Sequence, residues 1–159
     1  MFRIGHGFDV HALVPGDHVI LGGVKIHHNQ ALLAHSDGDV LLHAICDACL
    51  GAAGLGDIGQ HFPDSDDRYK GIASTELLAE VFGKVRELGW VIGNLDATVV
   101  AQRPKLSPYL EDMKAVIANV LQADVSQLNL KATTTERLGY TGREEGIAAH
   151  AVVLLMQSL

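Results

Sequence analysis

The stretch Met1–Leu13, MFRIGHGFDVHAL, places histidines and an aspartate among apolar residues and glycines. The alternation from Phe2 to Val10 predicts an extended strand. Asp9 and His11 are two residues apart, so on such a strand their side chains leave the same face. This is the spacing that two ligands of one metal ion need. A complete metal site would require further ligands from elsewhere in the chain.

Composition and charge limit the classes of function. Of 159 residues 48% are apolar, which is enough for a single core without disulfides, so we expect one domain over residues 1–159. The formal net charge of -7 argues against nonspecific binding of nucleic acid or an anionic membrane. An anionic ligand would therefore have to meet local basic side chains or bound metal. No apolar run approaches the ~20 residues of a membrane span and no signal segment is evident, so the sequence predicts a cytoplasmic protein.

Strand and helix patterns interleave along the rest of the chain. Residues 19–26 predict two short extended pieces bent at Gly22 and Gly23. Helical spacing of apolar residues predicts three helices, and further extended patterns predict three strands. The helices are expected from Asp37 to about Gly51, from Ser74 to Gly89 and from Tyr109 to Leu121, and the strands over 90–102, 128–135 and 146–156.

This alternation predicts an α+β fold, an α/β sandwich in which one mixed β-sheet carries helices packed on one face. The segment 54–74 shows neither period and is long for a connection, which is typical of a functional or mobile loop. Cys46 and Cys49 lie in the middle of the first predicted helix rather than at its start. We therefore predict packed, reduced thiols rather than a redox pair, in keeping with a reducing compartment.

The first predicted helix also offers a third metal ligand. Asp39, His43 and Asp47 are spaced by four residues and are expected to share one helix face, opposite the apolar stripe. A His, His, Asp trio with an open fourth position is typical of a catalytic zinc site. The alternative is a set of hydrogen-bonded surface or core histidines. Other histidines are assigned to solvent (His18, His27 and His28) or to a core or interface position (His150).

A second polar stretch, KATTTERLGYTGREEG, begins at Lys131. Its three threonines at a predicted strand end offer hydroxyl and N–H groups to an anion, and Glu136 follows them in a position to hold a hard cation. The alternative is an ordinary β-favouring strand terminus. Lys105, in the turn AQRPKL, is either a phosphate partner or a solvated surface lysine.

Five motifs taken together carry a resemblance to a known family. They are GHGFDVH (5–11), LLAHSDGDVLLHAICDACLGAA (32–53), GDIGQHFPDSD (56–66), AQRPKL (101–106) and KATTTERLGYTGREEGIA (131–148). In this order, and over essentially the whole chain, they resemble the 2-C-methyl-D-erythritol 2,4-cyclodiphosphate synthases of the non-mevalonate isoprenoid pathway. The resemblance implies a lyase that closes 4-diphosphocytidyl-2-C-methyl-D-erythritol 2-phosphate, a small-molecule substrate, into the cyclodiphosphate and releases CMP.

The resemblance also implies roles for individual residues. One zinc per subunit would be held by Asp9, His11 and His43, and Mg²⁺ or Mn²⁺ would be held with the substrate diphosphate by Glu136. His35 and Thr134 would join these four as catalytic residues. The substrate would be contacted by a phosphate-side loop, a methylerythritol pocket and a cytidine diphosphate site. The phosphate-side loop would contain His35 and Ser36. The methylerythritol pocket would contain Asp57, Ile58, Gly59, Phe62 and Asp64. The cytidine diphosphate site would contain Ala101, Lys105, Leu106, Ala132, Thr133, Thr134 and Glu136.

Family members are homotrimers with active sites between subunits, so the resemblance implies a trimer around a central cavity. Phe8, Tyr140, Arg143 and Glu145 would line that cavity, where some members hold an isoprenoid diphosphate. Asp47 is expected either to orient His43 or to be a structural surface carboxylate. Two other functions remain open from the residues themselves: a zinc phosphohydrolase, which the metal trio permits, and a noncatalytic nucleotide or isoprenoid binder, which the threonine run permits.

Overall fold

The structure of the protein is a computed structural model that describes residues 1–158, in which strands and helices alternate along the chain. The strands are β1 (Phe2–Pro15), β2 (His18–Leu21), β3 (Val24–His27), β4 (Gln30–Leu32), β5 (Trp90–Val100), β6 (Leu128–Thr133) and β7 (Gly146–Gln157). The helices are α1 (Val40–Ala53), α2 (Ile58–His61), α3 (Ser74–Glu87), α4 (Leu110–Leu121) and α5 (Gly139–Gly142), and short 3-10 turns cover Asp67–Tyr69, Ser107–Tyr109 and Val125–Gln127.

The main sheet has five strands in the order β4-β1-β7-β5-β6. Only β5 and β6 pair in parallel, and the other neighbours are antiparallel. Helix α1 packs on β1 and β7, while α3 and α4 contact β5 and β6. The predicted mixed sheet with helices on one face is confirmed. The two short extended pieces predicted over 19–26 are confirmed as β2 and β3, but they form a separate two-stranded sheet, whereas one sheet was predicted.

Helix α1 is the central element of the core. Its N-cap is Asp39, whose side chain accepts a hydrogen bond from the N–H of Leu42, so the expected start at Asp37 is wrong by two residues. Its end at a left-handed Gly54 follows the expected glycine stop. The helix is buried on almost every side, and beyond Gly51 and Ala53 only His43 and Asp47 are partly exposed. The helix therefore presents a narrow polar edge rather than a full polar face.

The face of the main sheet opposite the helices is exposed and carries a group of large apolar side chains. Phe2, Ile4, Phe8 and Val10 point to it from β1, and cross-strand pairing places residues of β7 and β5 beside them. The exposed fractions are large, from 69% at Phe2 to 37% at Val91 on β5. An apolar patch of this kind on a folded chain marks an interaction surface.

Other predictions have mixed outcomes. The segment 54–74 was expected to lack structure, but it contains α2 and one 3-10 turn. His150 is exposed on the open sheet face, so its core alternative is wrong. His28 was assigned to solvent, yet its Nε2 is buried without a hydrogen-bond partner.

Cys46 and Cys49 are buried free thiols, as predicted. Burial raises the pKa of Cys49 to about 12, which keeps this thiol protonated. Among the helices of residues 1–158, none combines the length and the apolar character needed to span a membrane.

Candidate active site

Three side chains from two elements meet at the edge of the core. Asp9 and His11 come from β1, and His43 comes from the polar edge of α1. His11 Nε2 lies 3.0 Å from Asp9 Oδ2 and 3.1 Å from His43 Nδ1, and His43 Nδ1 lies 3.0 Å from the same Asp9 oxygen. Three potential ligand atoms thus form a nearly equilateral triangle.

The triangle fits a divalent metal ion. Ligand atoms around a tetrahedral zinc with bonds of about 2.0–2.1 Å are roughly 3.3 Å apart, close to the observed separations. The donor set of two imidazole nitrogens and one carboxylate oxygen suits zinc and related ions. Within residues 1–158 it is the only group of three or more acidic, histidine or cysteine side chains with such spacing. The resemblance named the same three residues.

Close packing shifts the pKa values of the group. Burial raises the pKa of Asp9, but hydrogen bonds with His11 and His43 outweigh burial and hold that pKa at about 2. Burial lowers the pKa of His43, but the hydrogen bond with Asp9 and the negative charges of Asp9, Asp39 and Asp37 together outweigh burial and leave the pKa raised. The carboxylate is therefore ionised at neutral pH, as a metal ligand must be.

The triangle forms one wall of a cavity of about 340 Å³. His35 and Ser36 lie on one side, in the loop before α1, and Ile58, Phe62 and Asp64 lie on another. The structure thus brings together most of the residues assigned to the phosphate-side loop and the methylerythritol pocket. Ala34, Pro63, Tyr69, Ile72 and Leu77 also line the cavity, and the sequence analysis assigned none of them to the site.

Two assigned residues of this pocket do not line the cavity. Asp57 caps α2 by accepting a hydrogen bond from the N–H of Gln60, and Gly59 lies in the same short helix. Asp47 does line the cavity, but its Oδ1 accepts the N–H of Ile58 at 2.8 Å, and no hydrogen bond joins it to His43 among the described residues. Of the two alternatives for Asp47, this contact favours the structural carboxylate, which anchors the start of α2.

Asp39 was expected to share one face of α1 with His43 and Asp47, but it does not lie on the polar edge that these two residues form. Asp39 is completely buried and accepts hydrogen bonds from the N–H groups of Gly22, Gly23 and Leu42. It lies on the side of α1 that faces the turn between β2 and β3. Asp39 is therefore excluded as a ligand of the same ion as His43.

A separate pocket of about 370 Å³ collects six of the seven residues assigned to the cytidine diphosphate site. Its walls are the turn after β5 and the end of β6, which lie side by side because these two strands are parallel neighbours. Ala101, Lys105, Leu106, Ala132, Thr133 and Thr134 all line it. The pocket shares no residue with the metal cavity, so the two pockets are separate within one chain.

The remaining assigned residues lie outside both pockets. Glu136 is exposed, has a left-handed backbone with φ of 53° and donates its N–H to Thr134 Oγ1. Arg143 is exposed and forms an ion pair with Glu145, and Tyr140 is 43% exposed. Phe8 lies on the open sheet face, with its ring 4.8 Å from that of His150.

The mixed sheet, the metal-ligand triangle and the cavity beside it define a metal-dependent enzyme with a small-molecule site. The family model described as the YgbB family matches residues 2–156. The chain belongs to this family, the family of the 2-C-methyl-D-erythritol 2,4-cyclodiphosphate synthases.

Relatives of that name match nearly end to end. The synthase of Azotobacter vinelandii is 65% identical over 154 residues, covering 97% of this chain and 98% of the relative. That of Geobacillus thermodenitrificans is 62% identical, covering 99% of each chain. Solved structures agree: the Plasmodium falciparum IspF in complex with CDP has a TM-score of 0.87 at 37% identity, covering 99% of this chain and 97% of the other. The bifunctional IspDF of Campylobacter jejuni has a TM-score of 0.95 at 48% identity, with 99% of this chain matching 42% of that longer one.

Proposed function

We propose that the chain converts 4-diphosphocytidyl-2-C-methyl-D-erythritol 2-phosphate into 2-C-methyl-D-erythritol 2,4-cyclodiphosphate and CMP. The observation that carries this proposal is the triangle of Asp9, His11 and His43 on the wall of the 340 Å³ cavity, in a chain that aligns end to end with synthases of that name. Residues 1–159 would form a single catalytic domain.

The proposed substrate carries both reacting groups. Its 2-phosphate attacks the β-phosphorus, the bond from that phosphorus to the CMP oxygen breaks, and an eight-membered ring closes. Such a step needs no nucleophile from the protein. It needs the two phosphates held in line, and correct placement of groups in an intramolecular reaction is worth roughly 7–11 kcal/mol.

Asp9, His11 and His43 would hold zinc, and Glu136 would hold Mg²⁺ or Mn²⁺ together with substrate phosphates. When bound, these ions would neutralise and polarise phosphate oxygens during the transfer. Glu136 would supply one carboxylate, so its ion would also need substrate oxygens and water as ligands. The positive charge of these metal ions would explain how a chain of net charge -7 can bind a highly anionic substrate.

The chain's own residues would position the substrate. Ile58 and Phe62 give the metal cavity an apolar wall for the methylerythritol carbon skeleton, and His35 and Ser36 offer polar groups to its phosphate. Lys105 and the Thr133–Thr134 hydroxyls would hold the diphosphate and nucleotide in the other pocket. Thr134 would contact the transferring phosphate from that side.

The two pockets are separate in one chain, which supports a homotrimer with each active site shared between neighbours. The exposed apolar sheet face is a surface on which such subunits would pack. Phe8 on that face, with Tyr140, Arg143 and Glu145, would line the central cavity, and an isoprenoid diphosphate is the proposed ligand there.

Phosphorus NMR of the purified protein with zinc, magnesium and the proposed substrate tests this function. We expect cyclodiphosphate and CMP in equal amounts, and neither after treatment with a chelator. Inorganic phosphate or a linear product would instead indicate a phosphohydrolase, and unchanged substrate would indicate a binding protein.

Two variants test the assigned metals. His43→Ala removes one of three zinc ligands and is expected to lose most bound zinc and all turnover. Glu136→Ala is expected to cut turnover and leave zinc in place. Metal content by mass spectrometry checks both, and a His43→Ala protein with full zinc would contradict the ligand assignment.

A further inference from the structure

Ser74 is a fully buried serine at the first residue of α3. Its Oγ lies 2.9 Å from His43 Nε2, the ring nitrogen that faces away from Asp9 and His11. The same hydroxyl donates to Asp37 Oδ1 at 2.5 Å, and the N–H of Ser74 donates to Asp37 Oδ2 at 2.9 Å. Asp37 thus holds Ser74 through two bonds, one to each carboxylate oxygen.

The direction of each hydrogen bond follows from the chemistry of the partners. An ionised carboxylate can only accept, so the single hydroxyl hydrogen of Ser74 is directed to Asp37. The Ser74 oxygen is then left as an acceptor toward His43, and it must receive the Nε2–H. A histidine with hydrogen on Nε2 can offer its Nδ1 lone pair to a metal ion, and Nδ1 is the atom in the triangle.

Ser36 also approaches His43 Nε2, at 3.2 Å, but its situation differs. Ser36 is partly exposed, lines the cavity and belongs to the loop assigned to the substrate phosphate. No carboxylate accepts its hydroxyl hydrogen among the bonds of the described residues. Ser36 can therefore change partners when a ligand enters, whereas Ser74 cannot without breaking its bonds to Asp37.

We propose that Ser74, fixed by Asp37, is a positioning residue that sets the tautomer and ring orientation of His43 for metal binding. The inference rests on the proposed metal role of His43. Outer partners of this kind orient the ligand, and their loss costs roughly 10–100-fold in metal affinity. No sequence motif links the three residues, because Ser74 follows His43 by 31 positions on another helix.

Zinc affinity, measured by competition with a chromophoric chelator, tests the proposal. Ser74→Ala removes the acceptor, and we expect zinc to bind roughly 10–100-fold more weakly. Ser36→Ala is the matched control, because it removes the other hydroxyl near His43 Nε2, and we expect a change of less than about threefold. Ser74→Thr retains the hydroxyl and is expected to bind zinc more tightly than Ser74→Ala.

A second measurement separates positioning from a loss of folding. Long-range ¹H–¹⁵N NMR of the zinc-loaded protein is expected to show a protonated Nε2 at His43 with slow solvent exchange, and faster exchange in Ser74→Ala. Native circular dichroism with unchanged zinc affinity in Ser74→Ala would overturn the inference. If the wild type binds no zinc, or His43→Ala retains it, the proposed metal role fails instead.

Discussion

Asp39 combines complete burial with three hydrogen bonds from backbone N–H groups. Burial raises the pKa of this carboxyl to about 6, although the three hydrogen bonds act in the opposite direction. In the unfolded chain an aspartate titrates near pH 3.9. Between these two values the folded protein retains a proton that the unfolded chain has lost. Stability is therefore expected to fall as pH rises from about 4 to about 6, and this contribution stays constant above that range.

Asp39→Asn removes the titrating carboxyl group. The difference in unfolding free energy between this variant and the wild type should therefore change with pH. A shift of about two pKa units corresponds to about 3 kcal/mol. We expect the stability of the variant relative to wild type to improve by about that amount between pH 4 and pH 7. Urea unfolding at a series of pH values measures it. Asp124→Asn at an exposed cap is the control, and a pH-independent difference for Asp39→Asn would contradict the prediction.

The sequence could not identify this residue's role. Asp37 and Asp39 both precede the apolar pattern of α1, and each can cap a helix, so spacing alone does not distinguish them. The choice depends on the turn at Gly22 and Gly23, which donates two N–H groups to Asp39 from 16 and 17 residues away. Asp37 is left to bind Ser74, another contact between distant positions.

At the scale of elements, the contact between β1 and α1 positions the three candidate ligands. Gly5 and Gly7 face the helix so closely that a Cβ on Gly7 would lie 1.8 Å from the carbonyl oxygen of Ala44. Gly7→Ala would therefore push α1 away from the sheet. We expect a destabilisation of about 3 kcal/mol or more, at the upper end of overpacking costs, together with weaker zinc binding. Chemical denaturation and a zinc titration measure the two effects.

Gly51→Ala in the same helix is the matched control. A Cβ at this position meets nothing within 4 Å. Because alanine favours a helix over glycine, we expect Gly51→Ala to stabilise the protein by about 0.5–1 kcal/mol. If Gly7→Ala were as stable as wild type, the close packing of β1 on α1 would not be what sets the distance between His43 and Asp9.

Elements differ in how well the sequence predicts them, and length is the reason. Helices α1, α3 and α4 each span at least 12 residues, so their apolar spacing repeats often enough to indicate a helix. The four residues of α2 and the three of β4 span little more than one repeat of their periods, which is too short to indicate a helix or a strand. These short elements depend on contacts with distant parts of the chain, such as the bond from Ile58 to Asp47.

At the scale of the whole molecule, the metal trio could be predicted because its members lie in motifs with defined spacing. The separation into two pockets was implied only by the family resemblance, because residue spacing does not show how β5 and β6 lie relative to β1. The separation of the two pockets within one chain leads to the strictest test of the proposed assembly. If each active site combines the metal cavity of one subunit with the nucleotide pocket of its neighbour, two impaired variants should recover activity when mixed.

His43→Ala disables the metal cavity, and Glu136→Ala disables the nucleotide side of the site. A complete site in a mixed trimer therefore needs the metal cavity of a Glu136→Ala subunit next to the nucleotide pocket of a His43→Ala subunit. In a cyclic trimer containing both variants, one of the three interfaces has this arrangement. After unfolding and refolding an equal mixture, random assembly therefore predicts roughly one quarter of the wild-type rate. CMP release measures the rate, and light scattering checks the trimer. A rate no higher than the sum of the separate variants would place each complete site within one chain.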